Sequence, residues 1–175
     1  MKNMREEKFY EPVRKEMKRL FQEKYVKCNF EITAKGKFSK ELRRNFNDIV
    51  FFFLKDKVYP DLTGFLIDPR GKNQIVIVEI KKRKLKIKDF YQSKMYAEIF
   101  KAAHCFLISK HPLSEELRRV LESMNWMIVY TRSTTMFPND PKEYHIPTTV
   151  FVGLFDVKKN QIVEWFPSDP FLKMH

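Results

Sequence analysis

The stretch from Gln74 to Lys82, QIVIVEIKK, constrains the fold more than any other in the chain. Ile75 to Val78 leave no polar position, the pattern of a strand buried on both faces. Such a strand should stay apolar to its end. This one closes on Glu79-Ile80-Lys81, so an acid and a base enter the edge of the core. Upstream, DLTGFLI ends at the turn DPRGKN, whose Pro and Gly have turn chemistry, and the two apolar runs read as a hairpin. Asp61, directly after Pro60, opens that hairpin.

The flanking segments alternate in type. Val13, Met17, Leu20 and Phe21 follow the i, i+4, i+7, i+8 spacing of an amphipathic helix. Pro12 suits its first turn, with the preceding residues as a separate turn or kinked extension. VKCNFEITAK alternates as a strand, and SKELRRNFNDI predicts a short helix capped by Ser39. IVFFFLKDK reads as a strand. KDFYQSKMYAEIFKAA predicts a helix with Asp89 as N-cap and Gln92 three residues on. HCFLIS and WMIVYT read as buried strands, separated by a helix that starts at Ser114. Arg132 to Thr149 is expected to be a long Pro-containing loop, and TVFVGLFDVKKNQIVEWF a second hairpin. This order predicts an α/β fold, a mixed central β-sheet flanked by helices. No linker divides the chain, so one domain is expected over residues 1–175. The second hairpin resembles the first in sequence, but Glu164 is followed two residues on by Phe166 instead of a lysine.

Composition narrows the function. The net charge is +12, and six basic residues crowd into Lys81–Lys88, which suits a polyanionic partner or a Lys-rich surface. No apolar run reaches the ~18 residues of a membrane span, and MKNMREEKFYEPV lacks a signal-peptide core, so no membrane partner and a cytoplasmic location are expected. Cys28 and Cys105 stand alone, which fits a reducing compartment. His104, His111, His145 and His175 lack metal-ligand spacing. Four glycines leave no Gly-rich phosphate loop, and no acyl-transfer motif is present.

Strand alternation places Ile75, Ile77, Glu79 and Lys81 on one face, with Glu79 and Lys81 about 7 Å apart along the strand. A hairpin partner brings Asp61 beside Glu79. Two carboxylates at that range repel unless a cation sits between them, and Mg²⁺ (or Mn²⁺) takes such oxygen ligands. The Ile80 backbone carbonyl is a further candidate ligand. Lys81 would border the attacking water and the phosphate. Each residue also has a plainer reading. Asp61 fits a turn after Pro60, and Glu79 with Lys81 fits an ion pair at a strand end. Gln92 fits a capping role and Tyr96 the core. Asp48 could replace Asp61, at a longer spacing.

Pro60-Asp61, a gap of 17 residues and then Glu79-Ile80-Lys81 resemble the PD-(D/E)XK nuclease superfamily. Gln92 and Tyr96 on the following helix look like the Q-x-x-x-Y element of several of its branches. The resemblance runs from about Val58 to Ala103 and draws its specificity from context, because the short triple alone arises often by chance. It implies a restriction-endonuclease-like fold and Mg²⁺-dependent phosphodiester hydrolysis, in DNA before RNA. It further implies Asp61 and Glu79 as metal ligands, Lys81 as the catalytic lysine and Gln92 facing the site. A first-helix glutamate often joins such sites; Glu11 is favoured here, ahead of Glu7 and Glu16. Lys82, Arg83, Lys84, Lys86 and Lys88 are expected to contact the nucleic-acid backbone. A homodimer suits double-strand cleavage. The alternative is a catalytically inactive nucleic-acid-binding or assembly module with the same fold.

Overall fold

The computed structural model describes residues 4–46, 50, 51, 54, 59–123, 131–134 and 145–172. Four α-helices are present: α1 (Met4–Gln22), α2 (Lys40–Arg43), α3 (Ile87–Ile99) and α4 (Glu115–Ser123). The strands are β1 (Lys27–Ile32), β2 (Leu62–Ile67), β3 (Asn73–Lys81), β4 (His104–Ser109), β5 (Thr131–Thr134), β6 (His145–Thr148), β7 (Val150–Asp156) and β8 (Gln161–Phe166). Six of them form one mixed sheet in the order β1-β2-β3-β4-β7-β8. β3, β4 and β7 run parallel, and the two edge strands and β2 are antiparallel to their neighbours. β5 and β6 pair separately.

β3 takes the interior position that its apolar run demands. Residues Ile75 to Ile80 are all buried. Val76, Val78 and Ile80 join Phe106 and Ile108 on one face, under Tyr10, Val13, Met17 and Phe21 of α1. Ile75 and Ile77 join Cys105 and Leu107 on the other, under Phe90, Tyr96, Ala97 and Phe100 and the α4 residue Leu121. Each fully buried side chain of this size contributes about 1.5–3 kcal/mol of apolar transfer. The two layers hold the β3 terminus rigid, and the candidate chemistry sits there.

Turn and cap chemistry follows the sequence closely. Gly71 closes the β2–β3 turn at φ +78°, a left-handed conformation that glycine adopts without steric cost. Asp68 Oδ1 accepts the N–H groups of Arg70 and Lys72 there. Ser39 Oγ accepts the Leu42 N–H, and Ser114 Oγ the Leu117 N–H. Gly64 allows β2 to approach the Phe30 ring: a Cβ there would lie 2.5 Å from ring carbon Cε1.

Several expectations are corrected. Pro12 lies inside α1, not in its first turn. The stripe of Tyr10, Val13 and Met17 is continuous across it, so docking on the sheet outweighs the missing backbone donor. Val50 and Phe51 are helical and Leu54 lies in a turn, so these parts of IVFFFLKDK are not strand. Val50 and Leu54 instead cover the α3 face of the sheet; a short apolar run fits either role. Asp48 lies outside the described residues. So do residues 126–130 of WMIVYT, whose Thr131 begins β5. The expected loop from Arg132 carries β5 and β6 at its two ends.

Candidate active site

The β2–β3 register pairs Leu62 with Val78 and Thr63 with Ile77. One step further, Asp61 falls opposite Glu79. The contact is reciprocal: the Asp61 N–H donates to Glu79 Oε1 at 3.3 Å, and the Ile80 N–H donates to Asp61 Oδ2 at 2.7 Å. The Pro60–Asp61 backbone is anchored from the other side. Thr33 donates its N–H to the Asp61 carbonyl at 2.9 Å and its hydroxyl to the Pro60 carbonyl at 2.7 Å. A residue's N–H and C=O point to the same side of an extended strand, so the Ile80 carbonyl faces past the start of β2, toward Asp61.

Lys81 Nζ donates to Glu79 Oε2 at 2.8 Å and to Gln92 Oε1 at 3.3 Å. Gln92 Nε2 reaches the Tyr96 hydroxyl at 3.5 Å. Asp61, Glu79, Lys81 and Gln92 therefore meet on the α3 face at the C-terminal end of β3. Tyr96 is buried in the core, and burial pushes its hydroxyl up to about 12.

The cluster is electrostatically tense. Burial, and then the charge of Asp61, push Glu79 up to about 8, despite the ammonium of Lys81 beside it. Burial works to lower the Lys81 pKa, but the Glu79 carboxylate outweighs it and the net shift is upward. Two carboxylates share one ammonium in a largely dry setting, where Asp61 is 9% exposed and Glu79 1%. This donor set fits a hard divalent cation: both acids supply oxygen, and the Ile80 carbonyl faces the same side. Among the described residues no group of three or more His, Cys, Asp and Glu side chains gathers to hold a metal.

The first-helix glutamates stand elsewhere. α1 covers the opposite face of the sheet from Glu79. Glu11, the favoured candidate, forms a two-point pair with Arg14 at 2.6 and 2.8 Å, and this holds its carboxyl below the usual range. Glu16 is buried, pairs with Arg19 and accepts the Ile162 N–H at 3.2 Å, tying α1 to β8. The Glu7 side chain lies outside the described residues.

Asp89 is not the N-cap of α3. Lys86 occupies that position, and Asp89 sits three residues in, accepting the Lys86 N–H at 2.8 Å. Arg83 grips the same carboxylate at 2.6 and 2.8 Å. Burial opposes ionisation of Asp89, but Arg83 outweighs it and lowers its pKa. Arg83 thus fastens the β3–α3 connection one turn before Gln92, a role the sequence reading missed. Opposite charges six residues apart around buried Leu85 were the available signal. Lys84, Lys86 and Lys88 are exposed, and Lys82 lies over the Phe9 ring on the α1 face. His104 bonds Tyr25 and Gln74, and burial lowers its pKa to about 4, a structural role.

Comparison with protein-family models, with curated proteins and with solved structures finds no match to this chain. Among the described residues no helix is long and apolar enough to cross a membrane.

Proposed function

We propose that the chain is a metal-dependent nuclease that hydrolyses phosphodiester bonds, with DNA as the expected substrate. On this reading its sheet is a restriction-endonuclease-like core of the PD-(D/E)XK type. The observation that carries the proposal is the convergence of Asp61, Glu79 and Lys81 at the end of a buried strand, with Gln92 reaching in from α3. A simple strand-end ion pair would not need a second carboxylate beside Glu79, nor burial that pushes Glu79 up to about 8.

Asp61 and Glu79, with the Ile80 carbonyl, would hold Mg²⁺ or Mn²⁺. When bound, that ion supplies Lewis-acid polarisation of a phosphate and a lowered pKa for water. The protein's own groups do the rest. Ile80 N–H orients the Asp61 carboxylate, and Glu79 gives up its raised proton to serve as a ligand. Lys81, released from full pairing with Glu79, places its ammonium beside the attacking water and the developing phosphate charge. Gln92 holds the Lys81 chain in register. The exposed Lys84, Lys86 and Lys88 supply backbone attraction close by. The free Cys28 and Cys105 fit a reducing location such as the cytoplasm.

Cleavage of plasmid and labelled oligonucleotide with Mg²⁺ or Mn²⁺ tests the proposal. Wild type should cut, and Asp61→Ala, Glu79→Ala and Lys81→Ala should each lose about 10²-fold or more. Equal activity in all four proteins overturns it. Salt-sensitive DNA binding without cleavage under either metal would favour the non-cleaving module instead.

A further inference from the structure

We propose that Lys82 and Lys110, gathered over the ring of Phe9, form a second phosphate contact for the nucleic-acid strand, on the opposite face of the sheet from Glu79 and Lys81. The inference rests on the nucleic-acid reading of the adjacent site.

The geometry starts from the strand register. β3 and β4 run parallel and pair Lys81 with Ser109, so the next residues, Lys82 and Lys110, leave the sheet side by side. Alternation sends both to the face of Val78, Ile80, Phe106 and Ile108, which α1 covers. Phe9 of α1 meets them there. Lys82 Nζ lies 5.1 Å from the ring centroid and Lys110 Nζ 5.8 Å. Two ammonium groups converge on one ring face or edge, where their mutual repulsion opposes the attraction each feels for the ring. An anion drawn to both relieves that repulsion. Lys110 is exposed, and among the described residues it has no carboxylate within ion-pair distance.

Position indicates which anion. The pair sits at the C-terminal ends of parallel strands, where open α/β sheets take their ligands. Lys81 and Lys82 are consecutive, so their Cα atoms are about 3.8 Å apart while their side chains diverge to opposite faces. A phosphodiester chain crossing the end of β3 would meet Lys81 on one side and the Lys82–Lys110 pair on the other. A single small anion could occupy only one of these positions. The arrangement therefore suits a polyanion with regularly spaced charges, and it extends the basic run after β3 to a residue about thirty positions downstream in the sequence, Lys110.

The test measures binding of a fluorescent oligonucleotide to the full chain by anisotropy across a salt series in EDTA, alongside cleavage with Mn²⁺. The proteins are wild type, Lys82→Gln, Lys110→Gln, the double variant, and Lys72→Gln at the opposite end of β3 as an equal-charge control. Melting curves confirm that each is folded. The double variant should flatten the slope of log K against log salt by about 1.4 for single strands or 1.8 for duplex, the loss of two contacts. Each single variant should lose about half of that, and Lys72→Gln should bind as wild type. In cleavage, KM should rise and kcat should hold. The proposal is overturned if wild type binds and cuts but the folded double variant keeps the wild-type slope, or if Lys72→Gln loses as much. Absence of binding by wild type would overturn the nucleic-acid reading and this surface together. Slope loss in the double variant without cleavage by any protein would support the surface while removing the nuclease assignment.

Discussion

The Asp61 carboxylate accepts the Ile80 N–H at 2.7 Å, a bond that takes the place of a backbone ladder partner beyond the first residue of β2. One side chain thereby ends the β2–β3 pairing, turns an acid toward Glu79 and leaves the Ile80 carbonyl facing the same space. Replacing Asp61 should separate these roles. Asparagine keeps an acceptor for Ile80 and should retain the fold within about 1 kcal/mol. It should abolish metal-supported cleavage and let the Glu79 pKa fall from about 8, because a neighbouring charge is gone. Leucine strands a buried N–H and should cost about 1–3 kcal/mol as well. Denaturant melts and cleavage assays on both variants check this; an active Asp61→Asn protein would contradict the ligand role.

Glu79 should make the metal-free protein less stable as pH rises. Burial and the Asp61 charge raise its folded pKa to about 8, above the 4.5 of an unperturbed carboxyl. The folded state therefore binds the extra proton between these values, and stability falls wherever the folded state holds more protons than the unfolded. The contribution is complete below about pH 4.5 and is lost as pH climbs through about 8. Urea unfolding in EDTA across that window should show the decline, and Glu79→Gln should flatten it. An unchanged slope in Glu79→Gln would refute the assignment.

Divalent metal should reverse that trend. Mg²⁺ or Mn²⁺ at a hundred times its dissociation constant should stabilise the fold by about 2.7 kcal/mol. Affinity should be greater at pH 8 than at pH 6, because Glu79 must lose its proton to bind. Calorimetry in two buffers of different ionisation enthalpy at pH 7 should report release of roughly one proton per site. Asp61→Ala should bind neither ion.

Arg83→Ala should act at a distance from the reacting atoms. Asp89 is 1% exposed, and without Arg83 it keeps the Lys86 N–H as an acceptor contact but loses its charge partner. Arg83 is itself 44% exposed, so the expected loss is about 1–2 kcal/mol, less than a fully buried pair would show. The start of α3 should loosen, and with it the hold of Gln92 on Lys81. A fall in kcat of about tenfold with DNA affinity nearly unchanged would match this. A loss of affinity alone would instead mark Arg83 as a phosphate contact, as the sequence first suggests.

Much of the architecture was legible because its signals are local. The β2–β3 turn needed Gly71, the caps of α2 and α4 needed Ser39 and Ser114, and the unbroken run at Ile75–Val78 required an interior strand. Apolar runs without periodicity were less readable. Val50 and Leu54 carry the composition of a strand but serve as cover for one, because the sheet edge beside β2 is already taken by β1.

For the candidate site, sequence alone determined which residues share a face: alternation along β3 puts Glu79 with Lys81, and the short hairpin returns Asp61 to their side. Only the tertiary structure decided what surrounds them. It put α1 on the far side of the sheet, which removed Glu11 and Glu16 from the cluster, and it joined Lys82 to Lys110 through Phe9. Periodicity within a strand is a property of consecutive residues, whereas the choice of which helix covers which face depends on long-range packing of the whole core, and no short stretch of sequence encodes that.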